Sequence, residues 1–256
     1  MRPLSRYGPL RHRISSYIRS PTNAIAHYNG SHVLAPLNSC SSSRASHILI
    51  FPEPPSTEHH DLASYAAYAA RTGLDVTSKT YVGTAYEYTV AAALARLNFT
   101  VRRVGGRADC GIDLLGLWRV PSSPIPVRVL AQCKASSAQS TRVGPHLVRE
   151  LEGAFAGAPA GWRGATGVLG LLVAQKPATR GVRDALGRSR WPMGYVSCSR
   201  DGRLEQMLWN ERARQEGLEG LGATVQFAED GDGSQEKRLV LTWKGRPVVS
   251  HEPSQL

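Results

Sequence analysis

Between Thr80 and Val173 the hydrophobic pattern changes period in a fixed order, and that order restricts the possible folds more than any other property of the chain. A long helical stretch from Gly83 to Asn98 comes first, and three strand-like runs follow it. A second helical stretch near residues 145–156 leads into the apolar run Val168-Leu169-Gly170-Leu171-Leu172-Val173. The order is α-β-β-β-α-β, which predicts an α/β protein with a central mixed sheet flanked by helices. Upstream, Phe51 to His60 has the proline content of a linker or a wrapping arm, and Asp61 to Arg71 predicts a short helix ended by Gly73. Downstream lie a predicted helix over 179–188, a short strand near Tyr195-Val196 and a mixed segment from Leu204 to Gly217. Two terminal runs, Thr224 to Phe227 and Arg238 to Trp243, flank Glu229-Asp230-Gly231-Asp232-Gly233, which predicts a hairpin turn on a sheet edge. The divisions expected are 1–50, 51–79, a core domain over 80–215 and a C-terminal β extension over 216–256.

A hydrophobic content of 41% in 256 residues suffices for a sizeable core. The net charge of +11 is uneven, because residues 1–50 hold six arginines and ten serines but no Asp, Glu or Lys. That composition matches a mitochondrial transit peptide, and Ile14, Tyr17 and Ile18 among the arginines allow a short amphipathic helix between Arg11 and Arg19. A basic arm touching nucleic acid is the plainer alternative. The remaining +5, from 25 basic and 20 acidic residues, suits a polyanionic partner without requiring one. No run of about 18 apolar residues exists, so no membrane span is expected. Cys40, Cys110, Cys133 and Cys198 form no CxxC pair, which argues against a zinc site or a redox dithiol.

Three short segments carry side chains suited to chemistry. On the first long helix, Val90, Ala91 and Leu94 fall three, four and seven residues after Glu87, which places that carboxylate on the apolar face. An ionised group there needs a counter-charge or a metal, unless it snorkels along a margin widened by Tyr86 and Tyr88. Next, Gly105-Gly106-Arg107-Ala108-Asp109-Cys110-Gly111-Ile112-Asp113 is a glycine-rich turn running into a strand. Asp113, flanked by aliphatic residues, is a poor strand former but a suitable fixed oxygen ligand for Mg²⁺, whereas Asp109 reads as a turn residue. The turn lacks the GxGxxG and GK[ST] phosphate-loop patterns. Finally, Val127 to Lys134 alternates, with Val127, Val129, Ala131 and Cys133 on one face and Arg128, Leu130, Gln132 and Lys134 on the other. A lysine beside acidic groups can orient an attacking water and offset charge on a phosphorane-like transition state. Alone, QxK is a weak motif. A helix Glu, then GxD at a strand start, then QxK at the next strand's end is far more specific.

At these residues the sequence resembles the Mrr-like branch of the restriction-endonuclease-like, or PD-(D/E)XK, superfamily. More closely, Tyr81-Val82-Gly83-Thr84-Ala85-Tyr86-Glu87-Tyr88, Gly105-Gly106 to Gly111-Ile112-Asp113 and Gln132-Cys133-Lys134 resemble a fungal mitochondrial family called required for respiratory growth protein 7. The resemblance spans about 80–215 and includes Leu208-Trp209-Asn210. It implies a restriction-endonuclease-like core, with Asp113 as metal-binding acid, Lys134 as catalytic lysine, Gln132 in place of the usual second acid, and Glu87 completing the catalytic and metal site. Replacing a carboxylate by the Gln132 amide keeps one oxygen but removes one negative charge, so metal affinity should fall.

Arg180, Arg183, Arg188 and Arg190 form a basic patch, with Asp184 the only acid among them, and are the expected nucleic-acid contacts. Arg142, His146, Arg149 and Glu150 are a weaker candidate and read mainly as a solvated helix face. The function expected from the resemblance is Mg²⁺- or Mn²⁺-dependent cleavage of DNA phosphodiester bonds in the mitochondrial matrix, with RNA as another possible substrate and a homodimer compatible with it. The rival is a catalytically inactive nucleic-acid-binding or assembly factor on the same fold.

Overall fold

The alternation read in residues 127–134 becomes β3, Val127–Lys134, the third strand of a six-stranded sheet. The computed structural model describes residues 49, 51–106, 110–135, 143–164, 166–229 and 235–248. The proposed transit segment therefore lies outside the described residues apart from residue 49. The first strands are β1, Phe99–Arg103, and β2, Leu114–Trp118; β1, β2 and β3 form an antiparallel meander. Two parallel strands follow, β4 at Val168–Ala174 and β5 at Met193–Cys198, and β6, Leu204–Trp209, closes the sheet antiparallel. The strand order is β1-β2-β3-β4-β5-β6, a mixed sheet as the sequence order predicts.

Parallel neighbours need crossover connections, and here each is helical. α3, His146–Gly157, joins β3 to β4, and α4, Arg180–Arg188, joins β4 to β5. Val148, Leu151 and Phe155 of α3 and Val182 and Leu186 of α4 pack with Leu130, Leu172 and Tyr195 on one face of the sheet. α2, Lys79–Ala95, packs on the other face, where Val90 and Leu94 meet Val129, Ala131, Leu171 and Val173. α2 starts before Gly83, because the Ser78 side chain accepts from Tyr81 N at 3.1 Å and caps the helix there. It stops before Asn98, which adopts φ 64° as the chain turns into β1.

α1, Leu62–Thr72, has the boundaries its sequence predicts: Asp61 caps it through Ser64 N at 2.7 Å, and Gly73 terminates it at φ 66°. It packs on the outer side of α2, with Tyr65 and His59 beside Tyr88. This second layer explains why α2 buries Tyr88 as well as its sheet-facing residues, among them Tyr86, whose hydroxyl donates to Cys198 O of β5 at 2.7 Å.

After β6 come the single turn α5, Glu211–Ala213, and a π-helical turn, Arg214–Leu218. The terminal pair was expected as a hairpin on a sheet edge, within a C-terminal β extension. β7, Leu221–Glu229, and β8, Gln235–Trp243, form that hairpin and build a separate three-stranded antiparallel sheet with β9, Arg246–Pro247. Leu221, Leu239 and Leu241 bury themselves in the α2-side core, so the hairpin is held by face packing and not by edge pairing. Its turn, residues 230–234, lies outside the described residues.

Candidate active site

The open end of the β2–β3 pair holds Asp113, and its backbone is tied on both sides. Asp113 N donates to Ala131 O at 2.9 Å, while Asp113 O accepts from Val104 N at 2.8 Å and Gly105 N at 3.0 Å. β2 pairing begins with Leu114 opposite Ala131, so β3 continues past the ladder through Gln132, Cys133 and Lys134. The carboxylate of Asp113 takes over one of the freed donors: its Oδ2 accepts from Cys133 N at 2.6 Å. A fixed carboxylate at the start of a strand is thus explained in part by the need to pair a backbone N–H.

The other oxygen of Asp113 faces Gly105. A β-carbon on Gly105 would stand 3.0 Å from Asp113 Oδ1 and 3.3 Å from Glu87 Oε2, so one small space is bordered by both carboxylates. Glycine at 105 is required to leave it open. Glu87 meets the partner its position demanded: Arg103 Nε, at the end of β1, donates to Glu87 Oε2 at 2.5 Å. The two side chains are only 12% and 13% exposed, which makes this a largely desolvated ion pair. Arg103 also reaches Thr84 Oγ1 at 3.4 Å, and its guanidinium carbon lies 5.8 Å from the centre of the Tyr88 ring.

Gln132 and Lys134 share the face of Leu130, toward α3, and Cys133 between them packs toward α2. Glu87 therefore approaches from one side of the sheet, and Gln132 and Lys134 from the other, with Asp113 at the strand end between the layers. Gln132 is only 6% exposed, and among the described residues its buried Oε1 has no hydrogen-bond partner. Its amide nitrogen lies against Gly111, where a β-carbon would approach Nε2 to 2.8 Å; Gly111 also needs glycine for its φ of 76°. Lys134 Nζ bonds Glu150 Oε2 at 2.9 Å, so Glu150 is part of the site's surroundings and not merely of the solvated face of α3. Burial pushes the Cys133 thiol well up, and the nearby Asp113 and Glu87 carboxylates push it further, which records a concentration of negative charge here.

Mg²⁺ or Mn²⁺ prefers hard oxygen donors. Among the described residues no group of three or more His, Cys, Asp or Glu side chains is placed to hold a metal ion, so the donors available are two carboxylates and one amide. Their chemistry fits such a cation: Asp113 and Glu87 border one space, and the Gln132 oxygen is buried and unsatisfied. The Arg103 cation on Glu87 opposes it.

The arginine patch is placed on the outer side of α4, whose Val182 and Leu186 point inward. Arg183, Arg188 and Arg190 are exposed, and Arg180, 91% exposed, lies 3.8 Å from Asp184. Of the weaker candidates, His146 and Arg149 are exposed and Arg142 lies outside the described residues. Asn210 proves to be a clasp. Its Oδ1 accepts from Met193 N and Ala213 N at 3.1 and 2.9 Å, and its Nδ2 donates to Leu186 O and Trp191 O at 3.0 and 2.8 Å. Sequence reasoning missed Arg103; the only available signal was a pair of arginines ending a strand shortly before a glycine-rich turn.

The fold and site together define a mixed α/β protein with a carboxylate pair, an unsatisfied amide and a lysine at the open end of its central strands. The family described as required for respiratory growth protein 7 matches residues 78–125 and 122–226, and the chain belongs to it. A mitochondrial protein of Schizosaccharomyces pombe, itself described as uncharacterized, is 29% identical over 162 residues, covering 62% of this chain and 62% of its own length. No solved structure matches the chain. Family and relative make this a mitochondrial protein linked to respiratory growth. Among the described residues no helix is long and apolar enough to cross a membrane.

Proposed function

We propose that the protein is a metal-dependent endonuclease of the Mrr-like kind that hydrolyses phosphodiester bonds of DNA in the mitochondrial matrix. One observation carries the reading: a buried, unpartnered amide oxygen on Gln132, next to a carboxylate tied to the same strand, is costly unless something electropositive is bound there. Asp113, Glu87 and Gln132 would hold Mg²⁺ or Mn²⁺, which when bound supplies Lewis-acid polarisation of the scissile phosphate and a more acidic water. The chain's own contributions are separate. The Cys133 N–H and the backbone bonds of Asp113 fix one carboxylate in orientation, so little reorganisation accompanies binding. Lys134, a third exposed and held by Glu150, would orient water and offset negative charge once a phosphate competes for it. The exposed arginines of α4 would hold the backbone of the polyanion, and RNA is the other substrate class they would accept.

A second reading has its own support in the Arg103–Glu87 pair. With Glu87 neutralised, the same fold would serve as a nucleic-acid-binding or assembly factor without catalysis. The discriminating experiment incubates the protein with supercoiled DNA, linear DNA or RNA and Mg²⁺ or Mn²⁺, beside Asp113→Asn and Lys134→Ala. Asparagine retains an acceptor for Cys133 N–H while removing the charge, so a loss of cutting is not a loss of fold. Metal-dependent cutting abolished in both variants supports the nuclease. Binding without cutting, unaltered by either change, supports the second reading.

A further inference from the structure

A cavity lies between the proline-rich segment and the outer edge of the sheet, adjoining the carboxylate site at Arg103 and Val104. It has a volume of about 510 Å³. β1 is the edge strand, pairing only with β2, and the stretch from Phe51 to His60 runs along it without adding a strand. The space left between them is walled by Phe51, Pro54, Pro55 and Tyr88 and carries Arg102 and Arg103. Among the described residues no aspartate or glutamate lines it, although Glu53 and Glu58 belong to the same segment. Arg102 is exposed and among the described residues has no carboxylate partner; its guanidinium carbon lies 5.2 Å from the centre of the Phe51 ring. One wall is rigid, since buried His59 places Nδ1 2.7 Å from Tyr88 Oη and packs its ring 4.7 Å from that of Tyr65.

A cation without a carboxylate partner, as Arg102 is among the described residues, selects an anion, and flat apolar walls select a planar apolar group attached to it. The volume lies within the roughly 300–1,000 Å³ of small-molecule sites and has no room for a double helix. We propose that this cavity binds one unpaired nucleotide of a nucleic-acid strand, its base against Phe51 and the prolines and its phosphate on Arg102 and Arg103. Because Arg103 is also the counter-ion of Glu87, the cavity and the carboxylate site share one cation. A phosphate that draws Arg103 toward itself weakens its hold on Glu87 and raises the affinity of the carboxylate pair for a divalent ion. By linkage, the ion raises the affinity for the nucleotide equally. This coupling rests on the metal-site reading above; the nucleotide site itself does not.

The test titrates the full chain with oligothymidylate and with a blunt DNA duplex by calorimetry, and separately with Tb³⁺ by luminescence, each with and without the other ligand. Single-stranded oligothymidylate is expected to bind more tightly than the duplex. Arg102→Glu, at an exposed position, should weaken its binding about tenfold or more with no change in thermal stability. Tb³⁺ affinity should rise with saturating oligothymidylate, and that response should vanish in Arg103→Gln. Equal binding of duplex, or unaltered binding by Arg102→Glu, overturns the nucleotide site. Tb³⁺ binding that is lost in Asp113→Asn yet indifferent to oligothymidylate overturns the coupling while leaving the metal site intact. Absence of any Tb³⁺ binding, with Arg102-dependent oligothymidylate binding retained, refutes the metal-site reading and the coupling and supports the nucleotide site alone.

Discussion

Replacing Gln132 by methionine tests the site through stability before any substrate is known. Methionine is unbranched and of similar shape, so it fills the same space without the amide. The buried Oε1 has no hydrogen-bond partner among the described residues, and an unsatisfied buried acceptor costs about 1–3 kcal/mol. Repacking the new side chain against Gly111 costs up to about 1.5 kcal/mol. The balance favours the variant by about 1 kcal/mol, or a Tm increase of roughly 2–4 °C for a chain of this size. Urea and thermal unfolding in EDTA would read this directly. Repeating both in Mg²⁺ or Mn²⁺ reverses the ranking, because a ligand present at about 100 times its Kd adds about 2.7 kcal/mol to the native state, and the variant lacks one donor. A Gln132→Met protein less stable than the parent by over about 1 kcal/mol in EDTA, and stabilised equally by the metal, would show that the amide is structural.

Arg103→Leu strands the Glu87 carboxylate in a site with little exposure, and should cost about 2–3 kcal/mol, below the 3–5 typical of fully buried pairs; restoring most of that by adding Glu87→Leu would confirm the cause in urea melts, and a loss under about 1 kcal/mol would contradict it. Asn210→Ala removes the clasp between β5, the end of α4 and α5, leaving buried backbone groups unpaired; a loss of about 2–4 kcal/mol is expected by denaturant unfolding. Burial pushes the Cys198 thiol from about 9 up to about 12. The unfolded thiol therefore ionises first, so its contribution to stability is complete below about pH 8 and declines between about pH 9 and 12. Native-state alkylation should mark exposed Cys110 and leave Cys198 unmodified at pH 8, and equal labelling of the two would refute its burial.

Local pattern determined the helices, the strands and their order, because each is a repeat of apolar residues at a period the backbone imposes. Asp61 and Gly73 bounded α1 from sequence alone, since capping depends on residues only a few positions away. The alternation in β3 likewise put Gln132 and Lys134 on one face. What sequence could not determine was the company each charge keeps. Glu87 was legible as a carboxylate in need of a partner, but the partner is Arg103 on β1, sixteen residues away, brought there by the turn after α2 and the β1–β2 register. Lys134 meets Glu150 because α3 returns across the β3 face, and Asp113 spends one oxygen on Cys133 N because β2 stops short of the end of β3. The terminal hairpin is the plainest case. Its strands were readable, yet where their sheet packs depends on buried area summed over distant leucines, and that sum exists only once the chain has folded.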